Sequence, residues 1–375
     1  MKLVIAADSF KDCLSAEAVC RTIGDAIRTV RPDARIVLMP MADGGEGTAK
    51  AMMAAKDGVW IDREVTGPLS DMKVKAGFVW FADTRSALVE MATASGLELL
   101  KPHQRNPMLT STLGTGQLIH AAVDYGARHI LLTAGGSATV DLGIGMATVL
   151  GWRFLDAAGR PVVPAGGQLI RIARIVAPDR PWDLRVELLS DVTNPLVGPN
   201  GAAPVFGPQK GASPDQVAEL AEGLRHVADL MERQLGVRVH EMPGGGCAGG
   251  LGAAAVVFLK ARIVSGIQTI IREFGLQEAV RDADWVITGE GSFDSQSLHG
   301  KVVSGILEAC RGSRAKIAVF AGRVGLTPDQ ARGAGIESVV AVTPAGTPLE
   351  TALAQGRQFM AAAAREWAMQ HLSEE

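Results

Sequence analysis

Short aliphatic and β-branched runs recur along this chain, and nearly all of them halt at Gly, Ser, Thr or Asp just before a helical pattern begins. That alternation is the grammar of an α/β fold, in which a strand feeds a turn and the turn feeds a helix. Lys2 to Ala7 predicts a strand, followed by Asp8-Ser9-Phe10-Lys11 and a helix from about Ser15 with Val19, Ile23, Ile27 and Val30 on one face. Arg35 to Met39 predicts the next strand, which runs into Ala42-Asp43-Gly44-Gly45-Glu46-Gly47-Thr48 and a short Ala/Met helix.

From about Thr66 the texture changes. Lys73 to Phe81 and Ser86 to Met91 read as antiparallel strands joined by the polar turn Asp83-Thr84-Arg85, and His129 to Thr133 and Val186 to Ser190 as further strands. Ser213-Pro214-Asp215-Gln216 offers an N-cap, a proline at the first helical position and a Gln to close a capping box. Val217, Leu220, Leu224, Val227, Met231 and Leu235 then trace a buried stripe. After about Arg281 the simple alternation returns in Trp285 to Thr288, Lys316 to Phe320 and Glu337 to Val342. The expected architecture is therefore two α/β domains. One is discontinuous, residues 1–66 plus 281–375, with a mostly parallel sheet; the other, residues 67–280, flavodoxin-like or with a mixed sheet, is inserted into it.

Composition narrows the function. Glycine supplies 44 of the 375 residues, well above the usual share of about 7%, which implies many tight turns or ligand loops. A formal charge of −3 and the lack of any Lys/Arg-rich run argue against nucleic acid and anionic membrane as partners. The N-terminal apolar stretch is too short for a signal peptide and no run approaches a membrane span, so a cytoplasmic protein is expected. Cys13, Cys20, Cys247 and Cys310 form no CxxC pair and read as reduced thiols.

In open parallel sheets, ligands bind outside the carboxyl ends of the strands. Asp8, Asp43, Glu46, Asp141, Asp191, Glu290 and Asp294 all fall at or just after an apolar run or in its Gly-rich turn. Thr133-Ala134-Gly135-Gly136-Ser137-Ala138-Thr139-Val140-Asp141 joins a strand end to two glycines, hydroxyls and a carboxylate, a turn able to aim backbone N–H groups at an anion. Pro243 to Gly252 contains a GxGxxG at Gly244, Gly246 and Gly249, but no acid ends a strand about 20 residues on. It reads either as a phosphate cradle or as close helix packing. No P-loop is present, since Gly300-Lys301 is followed by Val302 and residue 295 is Ser, and the protein-kinase HRD and DFG motifs are missing. Carboxylates for Mg²⁺, glycine loops for phosphates and Lys11, Lys210, Lys301 and Arg323 as countercharges are the parts that phosphoryl transfer requires.

Six segments together resemble the type 1 glycerate kinases of bacteria: Asp8 to Lys11, Ala42 to Thr48, Gly135 to Thr139, Asp191 to Leu196, Val205 to Ala212 and Thr288 to Ser297. They run in order along nearly the whole chain. The resemblance implies phosphorylation of D-glycerate by ATP, usually to 2-phosphoglycerate, by in-line transfer in a cleft between a flavodoxin-like domain and a second α/β domain. The family often has Asn and Gly where this chain has Val140 and Leu142.

A kinase acting on an alcohol must orient the hydroxyl, accept its proton and neutralise the migrating phosphoryl group. Asp191, with Asp8 as rival, is the expected base, and Lys11 the expected phosphate contact. Asp43, Gly44, Gly45, Glu46, Thr115, Ser137, Thr139, Asp141, Asn194 and Lys210 are expected at the substrate. Thr115 belongs to a hydroxyl-rich helix start at Thr110 to Gly116, which reads equally well as an N-cap. The nucleotide is assigned to Gly244, Gly245, Gly246, Gly249, Gly289, Glu290, Gly291, Gln296 and Lys301, and transient Mg²⁺ to Glu290 and Asp294. His103, Arg105 and His299 are further candidates for substrate contact. A homodimer is an admissible assembly. A regulatory protein that binds a small phosphorylated acid would keep the glycine loops without needing acids at several strand ends, and an oxidoreductase would bind a dinucleotide at Gly244 to Gly249.

Overall fold

The computed structural model describes residues 1–10, 12–42, 44–45, 47–298 and 302–372, and for 54, 55 and 296 the backbone alone. The expectations placed on Lys11, Asp43, Glu46, His299 and Lys301, and on the side chain of Gln296, lie outside the described residues. The strands among the described residues are, in chain order, β1 (Lys2–Ile5), β2 (Arg35–Leu38), β3 (Val59–Thr66), β4 (Lys73–Phe81), β5 (Ser86–Glu90), β6 (His129–Thr133), β7 (Arg153–Leu155) and β8 (Arg174–Val176). They continue with β9 (Arg185–Leu189), β10 (Arg262–Val264), β11 (Trp285–Phe293), β12 (Lys316–Val324) and β13 (Ser338–Ala341).

Two compact units result, Met1–Asp43, Lys50–Lys56 and Ile267–Glu375 forming one, and Gly44–Ala49 and Asp57–Gly266 the other. The first holds a parallel sheet in the order β13-β12-β11-β1-β2, the flavodoxin arrangement. Period-two alternation in β1 explains its two covered faces. Leu3 and Ile5 pack with Val19, Ile23 and Ile27 of helix Ala16–Arg28 and with Trp367 of helix Gly356–His371, whereas Val4 packs with Ile267, Ile270 and Ile306.

The second unit carries a mixed sheet in the order β10-β9-β6-β5-β4-β3 and the antiparallel hairpin β7-β8. β5, β6, β9 and β10 run parallel, and β3 and β4 are antiparallel to their neighbours. Helix Pro214–Leu235 starts as its capping box dictates: Ser213 Oγ accepts from Gln216 N, and the Gln216 side chain accepts from Ser213 N. Leu220, Leu224, Val227 and Met231 of its stripe are buried, each stabilising by roughly 1.5–3 kcal/mol relative to exposure.

Two segments fall differently from the expected boundaries at 66 and 281. Val59–Thr66 is a strand paired with β4 along its whole length, because Val65 and Thr66 enter the second unit's core. Residues 267–280 belong to the first unit, where the apolar face of helix Gly266–Phe274 packs under Val4 and Val286.

Candidate active site

The parallel registers of the second sheet level its strand ends. Glu90 stands beside Thr133, Thr133 beside Leu189 and Leu189 beside Val264. The Gly135–Asp141 turn after β6 and Ser190-Asp191 after β9 therefore leave one edge together. Gly44 joins them, since a Cβ placed on it would lie 3.3 Å from Leu189 Cβ and 3.0 Å from Gly266 Cα, at φ +86. Only glycine tolerates that approach. Glu90 accepts the N–H of Ala49 at 2.8 Å, and Thr48 Oγ1 donates to Gly45 O at 2.7 Å, which ties the glycine loop to the edge.

Behind the β6 turn lies Lys210, 2% exposed. Its Nζ donates to Ser137 Oγ at 2.8 Å and to Thr139 O at 2.7 Å. Burial pushes this ammonium down to about 7, opposed by the nearby Asp141 carboxylate and Cys247. Cys247, hydrogen-bonded to Ser190, is itself pushed up to about 11 by burial. Gly211 packs against the backbone of Arg105, and Arg105 Nε is buried without an acceptor.

Asp141, expected at the substrate, is instead wholly buried beneath the turn. Its carboxylate accepts Thr112 N and Thr112 Oγ1 at 2.8 Å each, Gly143 N at 3.1 Å and Gly145 N at 3.3 Å. Burial raises its pKa and those donors oppose the rise. This acid satisfies the start of helix Leu113–Tyr125 and the residues opening helix Ile144–Val149, so that first helix terminus carries a carboxylate of the protein's own. Thr115 follows suit: it is fully buried, with Oγ1 and Ser95 Oγ 2.8 Å apart. The hydroxyl run is consumed inside the protein without a side-chain N-cap: Thr112, at the N-cap of helix Leu113–Tyr125, turns its Oγ1 to Asp141 and accepts Met146 N at 2.9 Å. Thr139 is likewise buried, offering its carbonyl to Lys210 while its Oγ1 has no partner. Leu142 sits at φ +50, a left-handed conformation, which explains why glycine suits that position.

In the Gly244–Gly250 loop, Gly244, Gly245, Gly246 and Gly249 are all buried. Cβ atoms on Gly246 and Gly249 would lie 2.2 Å from Pro195 O and 2.0 Å from Thr139 O. These glycines let helix Cys247–Leu259 approach two backbone segments closely, as the packing alternative requires. Asn194 is committed in part: its Nδ2 donates to Asn200 O at 2.9 Å and its carbonyl accepts Gly246 N.

In the first unit, the flavodoxin order reverses direction between β1 and β11, the place where such sheets bind ligands. Asp8 follows β1, donates its N–H to Gly289 O at 2.9 Å and accepts Ser9 N at 2.6 Å. Gly289 approaches Phe320 O so closely that a Cβ would lie 2.2 Å away. Glu290 stands next on β11, in register with Ala321, and Asp294 opens the turn Ser295–Leu298, with Ser297 N donating to its carbonyl. Among the described residues no group of three or more His, Cys, Asp or Glu could hold a metal ion.

Glu90 was missed by the sequence reading, although it ends a strand as the other acids do. Ser190 and Cys247 were missed as neighbours of Lys210, because their proximity is tertiary and no local pattern announces it.

Two α/β units, each with acids and glycines at the carboxyl ends of its parallel strands, define an α/β protein of the kind that carries its loops at strand ends. The comparisons make it particular: residues 3–372 match the model of the glycerate kinase family, and the chain belongs to that family. It is 40% identical over 369 residues to a glycerate kinase of Bacillus subtilis, covering 98% of this chain and 96% of that protein. It is 43% identical over 351 residues to the glycerate 2-kinase of Escherichia coli, covering 92% of each. A crystal structure of a protein provisionally named glycerate kinase 2 from Salmonella typhimurium LT2 superposes with a TM-score of 0.85 at 42% identity, over 99% of this chain and 98% of that one.

Proposed function

We propose that this protein transfers the γ-phosphoryl group of ATP in line to the 2-hydroxyl of D-glycerate, in the cytoplasm. The observation that supports it most is the levelled strand-end edge, where the Gly135–Ser137 turn leaves β6, Asp191 follows the neighbouring β9 and Gly44 packs against Leu189, in a chain belonging to the glycerate kinase family. Asp191 orients the hydroxyl and takes its proton; Ser137, Lys210 and Asn194 serve the acid. Asp8, Gly289 and Gly291 serve the nucleotide phosphates, and Lys11, by its resemblance alone, joins them. Glu290 and Asp294 would hold Mg²⁺, which when bound neutralises developing phosphate charge. No helix among the described residues is long and apolar enough to cross a membrane.

Phosphorus NMR of the product formed from D-glycerate and Mg·ATP tests activity and regiochemistry together. 2-Phosphoglycerate is expected. Absence of turnover by folded protein refutes the activity, and 3-phosphoglycerate refutes the position of attack. Asp191→Asn should lower kcat by about 10²-fold or more with ATP affinity nearly unchanged, and a loss under tenfold moves the base to Asp8.

A further inference from the structure

The chain holds three asparagines, and two of them, Asn106 and Asn194, are followed by Pro. A proline nitrogen carries no proton and cannot attack the side chain before it. Asn200 alone is followed by glycine. We propose that Asn200 is a self-modification site, whose side-chain amide is attacked by the backbone nitrogen of Gly201, and that the isoaspartyl linkage so formed loosens the loop that carries Asn194. The effect on catalysis rests on the role given to Asn194 above; the modification itself does not.

Gly198-Pro199-Asn200-Gly201 is a turn closed by Gly201 N, which donates to Gly198 O at 2.9 Å, with Pro199 and Asn200 at its two central positions. Both central residues are exposed, and the Asn200 side-chain amide has no partner among the described residues, so no contact keeps it from turning toward Gly201. Glycine at 201 is obligatory: a Cβ there would lie 2.7 Å from Val197 C and 2.9 Å from both Gly198 O and Leu196 O. The packing that demands glycine thereby leaves the attacking nitrogen without a flanking side chain, the least hindered case. The hydrogen bond to Gly198 O acts as the brake, because it must open before Gly201 N can reach Asn200 Cγ.

The chemistry balances with water as the only co-reactant. Gly201 N gives its proton to hydroxide and bonds to Asn200 Cγ, the Cγ–Nδ2 bond breaks, and Nδ2 takes up a proton and leaves as ammonia. Water then opens the cyclic imide. Opening at the side-chain carbonyl gives aspartate, whereas opening at the α-carbonyl sends the main chain through Cβ and Cγ, a methylene longer, with the α-carboxylate left as a branch. Asn194 Nδ2 donates to Asn200 O at 2.9 Å, and in the isoaspartyl form that oxygen belongs to the branch. Gly201 is hemmed in on its far side, and Ala202 N donates to the carbonyl of buried Leu196 at 3.1 Å, so the longer chain displaces the start of helix Ala202–Phe206 or the loop itself. That loop is otherwise tied by Gly246 N to Asn194 O at 3.0 Å and by Val197 N to His240 O at 3.2 Å.

The test holds folded protein at mildly alkaline pH in heavy-oxygen water and maps its peptides by mass spectrometry, with fragmentation that separates aspartyl from isoaspartyl linkages. Conversion of amide to acid is expected at Asn200 and at neither other asparagine, with a heavy oxygen taken from water, the isoaspartyl form present, and a rate about 10-fold or more below that of the urea-unfolded chain, as a closed turn requires. Asn200→Ser should abolish it. Residue 200 still an amide in folded protein when the unfolded chain has converted overturns the proposal. The modified fraction, separated by its added negative charge, should show a KM for D-glycerate raised about 10-fold with KM for ATP within about twofold, while Asn200→Ser carried through the same incubation holds both. An unchanged KM for D-glycerate in the modified fraction overturns the loosening and leaves the kinase reading standing. Should the unmodified protein not phosphorylate D-glycerate, that reading fails by itself. The loosening is then judged by hydrogen exchange at the Val197 and Ala202 amides: faster exchange in the modified protein supports it, and equal exchange overturns it.

Discussion

Gly249→Ala separates the two meanings of the glycine-rich loop. Gly249 lies at φ +71 between Ala248 at φ +49 and Gly250 at φ +97. Placing an L-residue there costs about 1–2 kcal/mol from the left-handed backbone alone. The added methyl would also stand 2.0 Å from Thr139 O, 2.7 Å from Val140 Cα and 2.8 Å from Thr139 C. All three are backbone atoms, so no side chain can swing away and the chain must shift, at about 1–3 kcal/mol. The expected loss is about 2–5 kcal/mol, a large share of the roughly 5–15 kcal/mol that holds a domain folded. Gly236 supplies the control: it caps helix Pro214–Leu235 at φ +70, and a Cβ there meets nothing within 4 Å. Gly236→Ala should therefore lose only the backbone part. Urea unfolding followed by tryptophan fluorescence includes this unit's signal from Trp152, whose Nε1 donates to Phe258 O, and Trp182, whose Nε1 donates to Leu150 O, beside that of Trp285 and Trp367 in the other unit. Equal losses in the two variants refute the close approach. Unchanged stability with a selective loss of ATP affinity in Gly249→Ala would restore the phosphate cradle.

Asp141→Asn puts an NH₂ group among four donors, and should destabilise the protein by about 3–5 kcal/mol, as breaking a buried charge arrangement does; a urea midpoint near wild type would make Asp141 dispensable. With thiol reagent at pH 8, Cys13 should label first in native protein, while burial pushes Cys20 up to about 12 and Cys247 and Cys310 up to about 11. Equally rapid labelling of Cys247 would contradict its burial. Lys210 gives a pH signature, because burial depresses it from 10.5 to about 7. Between those values the unfolded chain binds a proton that the folded one lacks, so this group's contribution to stability is unfavourable below pH 7 and is relieved as pH rises toward 10.5. The stability of Lys210→Met relative to wild type should accordingly fall from pH 7 to pH 10, and parallel profiles would show that Lys210 does not titrate in that window.

The regular parts of the fold were legible because their signals are local. The stripe on Pro214–Leu235, its capping box and the apolar run of β6 specify themselves within a few residues. β3 escaped because Val59–Thr66 mixes apolar and charged residues on an edge strand and gains its identity only from pairing with β4. The start of helix Gly266–Phe274 was missed for a related reason: its three isoleucines acquire a partner only when Val4 and Val286 are beside them. In the candidate site, the sequence singled out the turn after β6 and Lys210 separately. Their contact joins residues 73 positions apart, and no spacing rule reaches that far.

Burial sorts the strand-end acids of the second unit. Asp141 turns inward and is consumed by Thr112, Gly143 and Gly145, and Glu90 receives Ala49 N, so both hold loops in place. Neither is placed to take a proton from an incoming alcohol. Asp191 differs, being only partly buried in the turn that leaves β9, beside the turn that leaves β6. With Asp141 fixing the start of helix Leu113–Tyr125 and Lys210 gripping Ser137 and Thr139, the β6 turn keeps its shape before any ligand arrives. Preorganisation of this kind lowers the ordering cost of binding and leaves more of the interaction energy for orienting the hydroxyl.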